Sequence, residues 1–353
     1  MKLLLPLFFL IFISNAYTQN TPLYIGTYTL GSSEGIYKLD FNSELGTLDN
    51  LQLVAETDNP SFLAFSPNKT HLYTVNENDE GTVSVFKVEG DGSLKPINRV
   101  ESFGAAPCHI AVSKTVRKAV VSNYSGGNFA LFNIDSNENL STATQVIDHF
   151  TRTEKAHVHS AQFINNDLFV ADLGKNALYL YNTQNNDEYF KISGSVVPFT
   201  ENAGPRHFVL TQKGDFIYVL NEYANTVTAI KKESDTFRLI ENYSTLTDGY
   251  NGENACADIH LSNNEHFLYA SNRGENTIAV FKRNTKKGSL KKIQNINIEG
   301  DWPRNFTLDP TSRFLLVANQ KSNNISVFKI DQKKGTLSYL KSYTVPTPVC
   351  LLF

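Results

Sequence analysis

The sequence predicts an all-β chain, a seven-bladed β-propeller with four-stranded blades whose ring is closed by a C-terminal strand completing the first blade. Three observations carry that prediction. The fragment Ile217-Tyr-Val-Leu-Asn-Glu-Tyr-Ala-Asn-Thr-Val-Thr-Ala-Ile230 sets two short apolar runs around a polar turn, the pattern of an antiparallel hairpin. With Asn221 as the register mark, the pattern recurs at Asn76, Asn123, Asp172, Asn272 and Asn319, and a seventh copy carries Thr27 at the mark. Steps between marks run from 47 to 51 residues. A period near fifty with only strand-like patterning inside it points to propeller blades and away from a helical solenoid. Lastly, the folded part opens on a second strand and ends on Thr347-Pro-Val-Cys-Leu-Leu-Phe353, which matches a first strand. Pairing the two ends closes the ring and removes its free edges.

In chain order, Met1 to Gln19 reads as a cleaved signal peptide: Lys2, an apolar run from Leu3 to Ile13 too short to span a bilayer, then Ser14-Asn-Ala16 for signal peptidase. Residues 20–353 follow as a single domain, because the repeat is unbroken and no Pro/Gly/Ser-rich linker interrupts it. Within a unit the strands are legible in blade five: Gly204-Pro-Arg-His-Phe-Val-Leu210, Phe216 to Asn221, Thr226 to Lys231, and Phe237 to Tyr243. Turns such as Gly92-Ser-Leu94, Gly288-Ser-Leu290 and Gly335-Thr-Leu337 precede the fourth strand. The mature chain is expected to be an exported monomer, periplasmic or secreted, free of the membrane after cleavage.

Composition supplies the core and removes one class of partner. With 41% hydrophobic residues the chain has ample apolar material, and a net charge of −3 gives no electrostatic pull toward nucleic acid. Cys108, Cys256 and Cys350 are odd in number and fall in units that are not neighbours, so buried thiols rather than disulfides are expected.

The first two strands of a blade are antiparallel, which brings the start of the first beside the end of the second at one mouth of the channel. Two positions past the Pro of the first strand, or its equivalent, stand Phe62, His109, His159 (allowing a one-residue deletion), His207, Asp258, Asn305 and Cys350. One position past it come Cys108, Arg206 and Arg304, and just after the register mark come Tyr28, Glu77, Tyr124, Glu222 and Arg273. Packing alone does not call for so many charges near a narrow axis, where unpaired ones are costly. His159, Arg206, Glu222 and Arg273 are the catalytic candidates, from one contiguous sector of blades four to six. His157, His109, His207, Asp258 and Arg304 are candidates for substrate contact. Plainer readings stay open, namely an Arg206–Glu222 pair within one blade, an Arg273–Asp258 pair, and structural roles for Glu77 and Asp172. No metal or cofactor is expected, since Asn123, Asp172, Asn221 and Asn272 sit at the turn-forming mark and arginines beside them oppose a cation.

These motifs, taken in order, resemble the lactonase family of seven-bladed propellers, which includes propeller-type 6-phosphogluconolactonases and carboxy-cis,cis-muconate cyclase. The likeness rests on Ala156-His-Val-His-Ser160, Val170-Ala-Asp-Leu-Gly174, Gly204-Pro-Arg-His207, Val219-Leu-Asn-Glu222, Ala270-Ser-Asn-Arg-Gly274 and Thr307-Leu-Asp-Pro310, and covers the whole mature chain. The resemblance implies metal-free opening or closing of a lactone, with the family's site falling on His159 (His157 being the lesser of the pair), Arg206, Glu222 and Arg273. A small-molecule lactone is the implied partner. Alternatives are a muconate-type lactonising cyclase and a non-catalytic propeller that binds a ligand or protein.

Overall fold

The computed structural model describes residues 20–153, 155–183, 188–192, 194–234 and 236–353; the expected signal peptide lies outside them. Among the described residues, seven four-stranded antiparallel sheets are arranged as blades, each running from an inner strand to an outer one. The inner strands are Pro60–Phe65, Pro107–Val112, Val158–Ile164, Pro205–Leu210, Ala255–Leu261 and Pro303–Leu308 in blades two to seven. Blade one takes its inner strand, Pro348–Leu352, from the C-terminus, where Tyr24 faces Leu352 and Ile25 faces Leu351. Successive inner strands touch all the way round, so the ring is closed.

Local sequence explains the hairpins. Four residues past the register mark the backbone turns left-handed at Gly127, Asn176, Asn225, Asn276 and Asn323, with φ between 53° and 65°. Gly and Asn tolerate that conformation best. At Gly335 (φ 75°) the position also has no room for a side chain, because a Cβ there would lie 2.2 Å from the Phe267 ring of the preceding blade.

Packing couples each blade to the next. Among the described residues the buried apolar side chains form seven clusters, one at each junction between blades. Tyrosines of the second strands latch onto the next blade, as Tyr24 donates to Gly92 O at 2.8 Å, Tyr218 to Gly288 O at 2.9 Å and Tyr269 to Gly335 O at 3.1 Å. The inner strands share no backbone ladder with one another, and side chains stitch them instead. Cys108 Sγ meets His159 O at 3.3 Å, Ser160 Oγ donates to Arg206 O at 2.7 Å, and Leu63 N donates to Cys350 Sγ at 3.4 Å. All three cysteines are buried free thiols.

Asp172 serves the blade rather than the channel. Its Oδ2 lies 2.7 Å from His149 Nδ1, whose Nε2 lies 2.6 Å from Tyr181 Oη, and its Oδ1 accepts from His157 N at 2.9 Å. Removing the imidazole in His149→Ala strands a carboxylate with no solvent exposure. The expected cost is about 1.5–3 kcal/mol, that of a hydrogen bond to a charged group, read as a lower guanidinium midpoint at unchanged slope.

Candidate active site

One irregularity, repeated in every blade, builds the mouth. At the start of each inner strand the pairing with the second strand skips one residue, or two in blade six, for example from Pro107 to His109, Pro205 to His207 and Pro303 to Asn305. Such a bulge re-aims the unpaired side chain. The re-aimed residues include Cys108, Arg206 and Arg304, and in blade four the skipped residue is His159, between Val158 and Ser160. This corrects the expected alignment of the histidines. No deletion is needed, because Val158 occupies the proline position. His159 therefore matches Cys108 and Arg206, while Ser160 matches His109 and His207.

The four catalytic candidates do converge. Arg206 Nε lies 2.8 Å and Arg273 Nη2 2.9 Å from the same oxygen, Oε2 of Glu222. Both guanidiniums are also held by backbone carbonyls of blade six, at and just before the bulge that spans Ala257 and Asp258. Arg206 Nη1 donates to Ala257 O, Arg273 Nε to Ala255 O at 3.1 Å and Arg273 Nη2 to Cys256 O at 3.0 Å. Arg273 also covers the ring of Trp302, 5.3 Å from its centroid, and Lys321 Nζ sits 3.3 Å from that centroid. Burial, then repulsion from Arg206, pulls the Arg273 guanidinium down to about 10. Glu222 keeps 15% of its side chain exposed while Arg206 keeps 2%, so the carboxylate faces the opening and the guanidinium backs it.

His159 completes this sector. Burial first, then the charges of Arg206 and other nearby cations, hold its imidazole well below the ordinary histidine range, so it is neutral around pH 7. Its neighbour His157 stands at the rim, stacked on Tyr124 with ring centroids 4.5 Å apart and Nδ1 3.0 Å from Tyr124 O. Both members of the His-x-His pair thus border the mouth, and His159 is the deeper.

Arg304 reaches across blade one to a second carboxylate. Its Nη2 lies 3.4 Å from Glu77 Oε2, its guanidinium covers the Tyr28 ring at 5.0 Å, and Tyr28 Oη donates to Glu77 at 2.8 Å. Glu77, read from sequence as structural, belongs to the mouth. Three guanidiniums against two carboxylates leave a net charge of +1 here (3 − 2), beside a neutral histidine.

His109, His207 and Asp258 lie one layer deeper as a floor. Phe62 packs on His109 with centroids 4.4 Å apart, and His207 lies 5.2 Å from His159 and 5.6 Å from His109 by the same measure. Asp258 pairs with His207, not with Arg273, at 2.8 Å. All three floor residues are buried, so they support the mouth from beneath. Sequence reasoning missed Trp302, and its one available signal was position, just ahead of an inner-strand proline. Among the described residues, no group of three or more His, Cys, Asp or Glu side chains is arranged to hold a metal ion.

This geometry provides a cationic cup with an uncharged imidazole beside it and a carboxylate at its lip, a setting that can hold an anionic or ester-like ligand. The family model described as a lactonase, seven-bladed beta-propeller matches residues 22–353. The 6-phosphogluconolactonase of Bacillus subtilis is 33% identical over 342 residues, covering 94% of this chain and 97% of that protein. A 6-phosphogluconolactonase of Formosa agariphila is 34% identical over 314 residues, covering 82% and 87% respectively. The solved structure of the periplasmic gluconolactonase of Pseudomonas aeruginosa superposes with a TM-score of 0.87 at 29% identity, covering 94% of this chain and 98% of that one. The chain belongs to the lactonase family of seven-bladed β-propellers.

Proposed function

We propose that this protein is an exported lactonase that opens a sugar-derived lactone by adding water to its carbonyl carbon. The observation that carries the reading is the shared anchoring of Arg206 and Arg273 on Glu222 Oε2, which holds two guanidiniums side by side at the opening. In the reaction the lactone carbonyl oxygen faces these guanidiniums, and the charge that develops on it is met by fixed positive charge. His159, kept neutral, accepts the proton as the water oxygen bonds to carbon. The carbonyl re-forms, the ring C–O bond breaks, and the leaving alkoxide takes the proton, giving a hydroxy acid that ionises in solution. Glu222 aligns the two arginines, and Arg304 with Glu77 and Tyr28 borders the far side, where the substrate's hydroxyl groups lie.

Export is supported by the pattern of Met1 to Gln19 and by the likeness to a protein named periplasmic. An enzyme outside the cytoplasm meets unphosphorylated aldonolactones, so these are the proposed substrates. The test is a pH-stat screen of the mature protein on a panel of aldonolactones, with and without chelator. Acid release above the spontaneous rate, unchanged by chelator, is the expected result. No acceleration on any lactone in the panel sinks the reading.

A further inference from the structure

The floor beneath the mouth contains a chain of contacts that the proposed reaction does not use. His207 Nδ1 lies 2.8 Å from Asp258 Oδ1, and Asp258 Oδ2 lies 3.0 Å from His260 Nε2. Asn305 Nδ2 at 2.6 Å and Phe306 N at 3.2 Å complete the second oxygen's partners. His260 stands two residues beyond Asp258 on the same inner strand, hence on the same face and one step farther from the mouth. Its side chain is 38% exposed, whereas that of His207 is 9% exposed. The chain therefore runs from the catalytic floor to the solvent of the channel's other half.

One carboxylate here serves two imidazoles, and a single positive charge neutralises it. A cation at His207 would be buried beside Arg206, but at His260 it is partly in water, where it costs less. We propose that His260 is a positioning residue for the mouth: it takes up the charge of Asp258 and thereby keeps His207 neutral, with its proton on Nδ1, beneath His159 and Arg206. A carboxylate only accepts, so Nδ1 must donate to it, and the lone pair falls on Nε2. That atom is buried with no hydrogen-bond partner among the described residues, as befits a ring held in one tautomer from behind.

The surroundings agree. His207 is faced by Asp258 and His260 from blade six, by Arg206 on its own strand, and by the rings of His159, His109 and Phe62 from blades four, three and two. Asp258 is faced by the two histidines and, from blade seven, by groups that do not titrate, Asn305 and the Phe306 amide. Burial and Arg206 bring His207 down to about 4, while Asp258 outweighs burial at His260 and raises it. Without His260, Asp258 has only His207 to pair with, and the cation moves to the mouth side. A charge on that ring opposes proton uptake by His159, the group it abuts.

The experiment is nitrogen-15 NMR of the imidazoles of the full chain, with His207 identified by loss of its signal in His207→Gln. In the wild type at pH 6, His207 is expected neutral and protonated on Nδ1, and His260 cationic. In His260→Gln the His207 titration midpoint rises by about one pH unit or more, whereas His260→Lys, which keeps a cation against Asp258, leaves it low. The catalytic consequence rests on the lactonase reading: kcat/KM of His260→Gln falls about tenfold as pH is lowered through the new His207 midpoint, and the wild type and His260→Lys do not show this limb. A cationic His207 in the wild type, or the same midpoint in His260→Gln, overturns the proposal, and the wild-type spectrum decides it if that variant does not fold. A raised midpoint in a protein that opens no lactone upholds the role of His260 and removes the lactonase reading instead.

Discussion

His159→Gln is expected to lower kcat on the best aldonolactone by roughly 10²–10⁴-fold, the usual contribution of a positioned acid or base, with KM within a few-fold of wild type. His159 is neutral because it is buried among guanidiniums, and glutamine keeps the size and polarity of the side chain while losing the basic nitrogen. Glu222→Gln should read differently. Its carboxylate touches Arg206 and Arg273 at 2.8 and 2.9 Å, and an amide leaves those guanidiniums without their counter-charge. Both kcat and KM then suffer, because the arginines proposed to bind the ground state and the developing oxyanion are no longer held together. Steady-state kinetics on folded variants separates the two patterns. If His159→Gln retains wild-type kcat, His159 is not the proton acceptor.

The second large effect is a loss of stability on mild acidification. His109, His159 and His207 are all held below the ordinary histidine value, burial being the main cause in each. Between each folded value and about 6.5, the unfolded chain binds a proton that the native chain refuses, so stability falls as pH falls through that window. Each histidine contributes a slope of about 1.4 kcal/mol per pH unit, and three together about 4 kcal/mol per unit just below pH 6. For His207 the window ends at about 4. His260 has the opposite sign: its contribution is complete at low pH and is lost as pH rises through its elevated folded value. Asp258, held low, adds stability above about pH 4 that is lost only in stronger acid. Denaturant midpoints from pH 7 down to pH 5 measure the slope. His109→Phe, which repeats the Phe62 of blade two, should flatten it by about one histidine's share. A midpoint that does not change over this range contradicts neutral burial of the three rings.

The ring was legible in the sequence because each blade repeats one hairpin whose apolar runs and Asn-rich turn answer to local physics. Closure was legible for the same reason: Pro348–Leu352 carries the pattern of an inner strand, and the strand it pairs with, Asn20–Thr27, carries the pattern of a second one. Convergence of His159, Arg206, Glu222 and Arg273 followed from placing residues on strands that share a mouth. Register at the bulge did not follow, because Val158 stands where five of the other six blades carry proline, and counting from the prolines misplaced His159 by one. Reach across the ring was also hidden. Arg304 meets Glu77 across 227 positions of sequence, and a periodic pattern says which residues face the axis but not how far a side chain extends. His260 was missed because its role comes through Asp258 rather than through the mouth.

In the proposed function, closing the ring makes one anion-binding cup beside Trp302, and this residue, the only tryptophan in the sequence, reports on it directly. Its ring lies against Arg273, so a ligand carboxylate drawn to the guanidiniums alters its environment. Titration of tryptophan fluorescence with an aldonate, the product of the proposed reaction, should give a saturable change in the wild type and none in Arg273→Ala. Unchanged fluorescence at aldonate concentrations that inhibit turnover would place the reaction elsewhere on the protein.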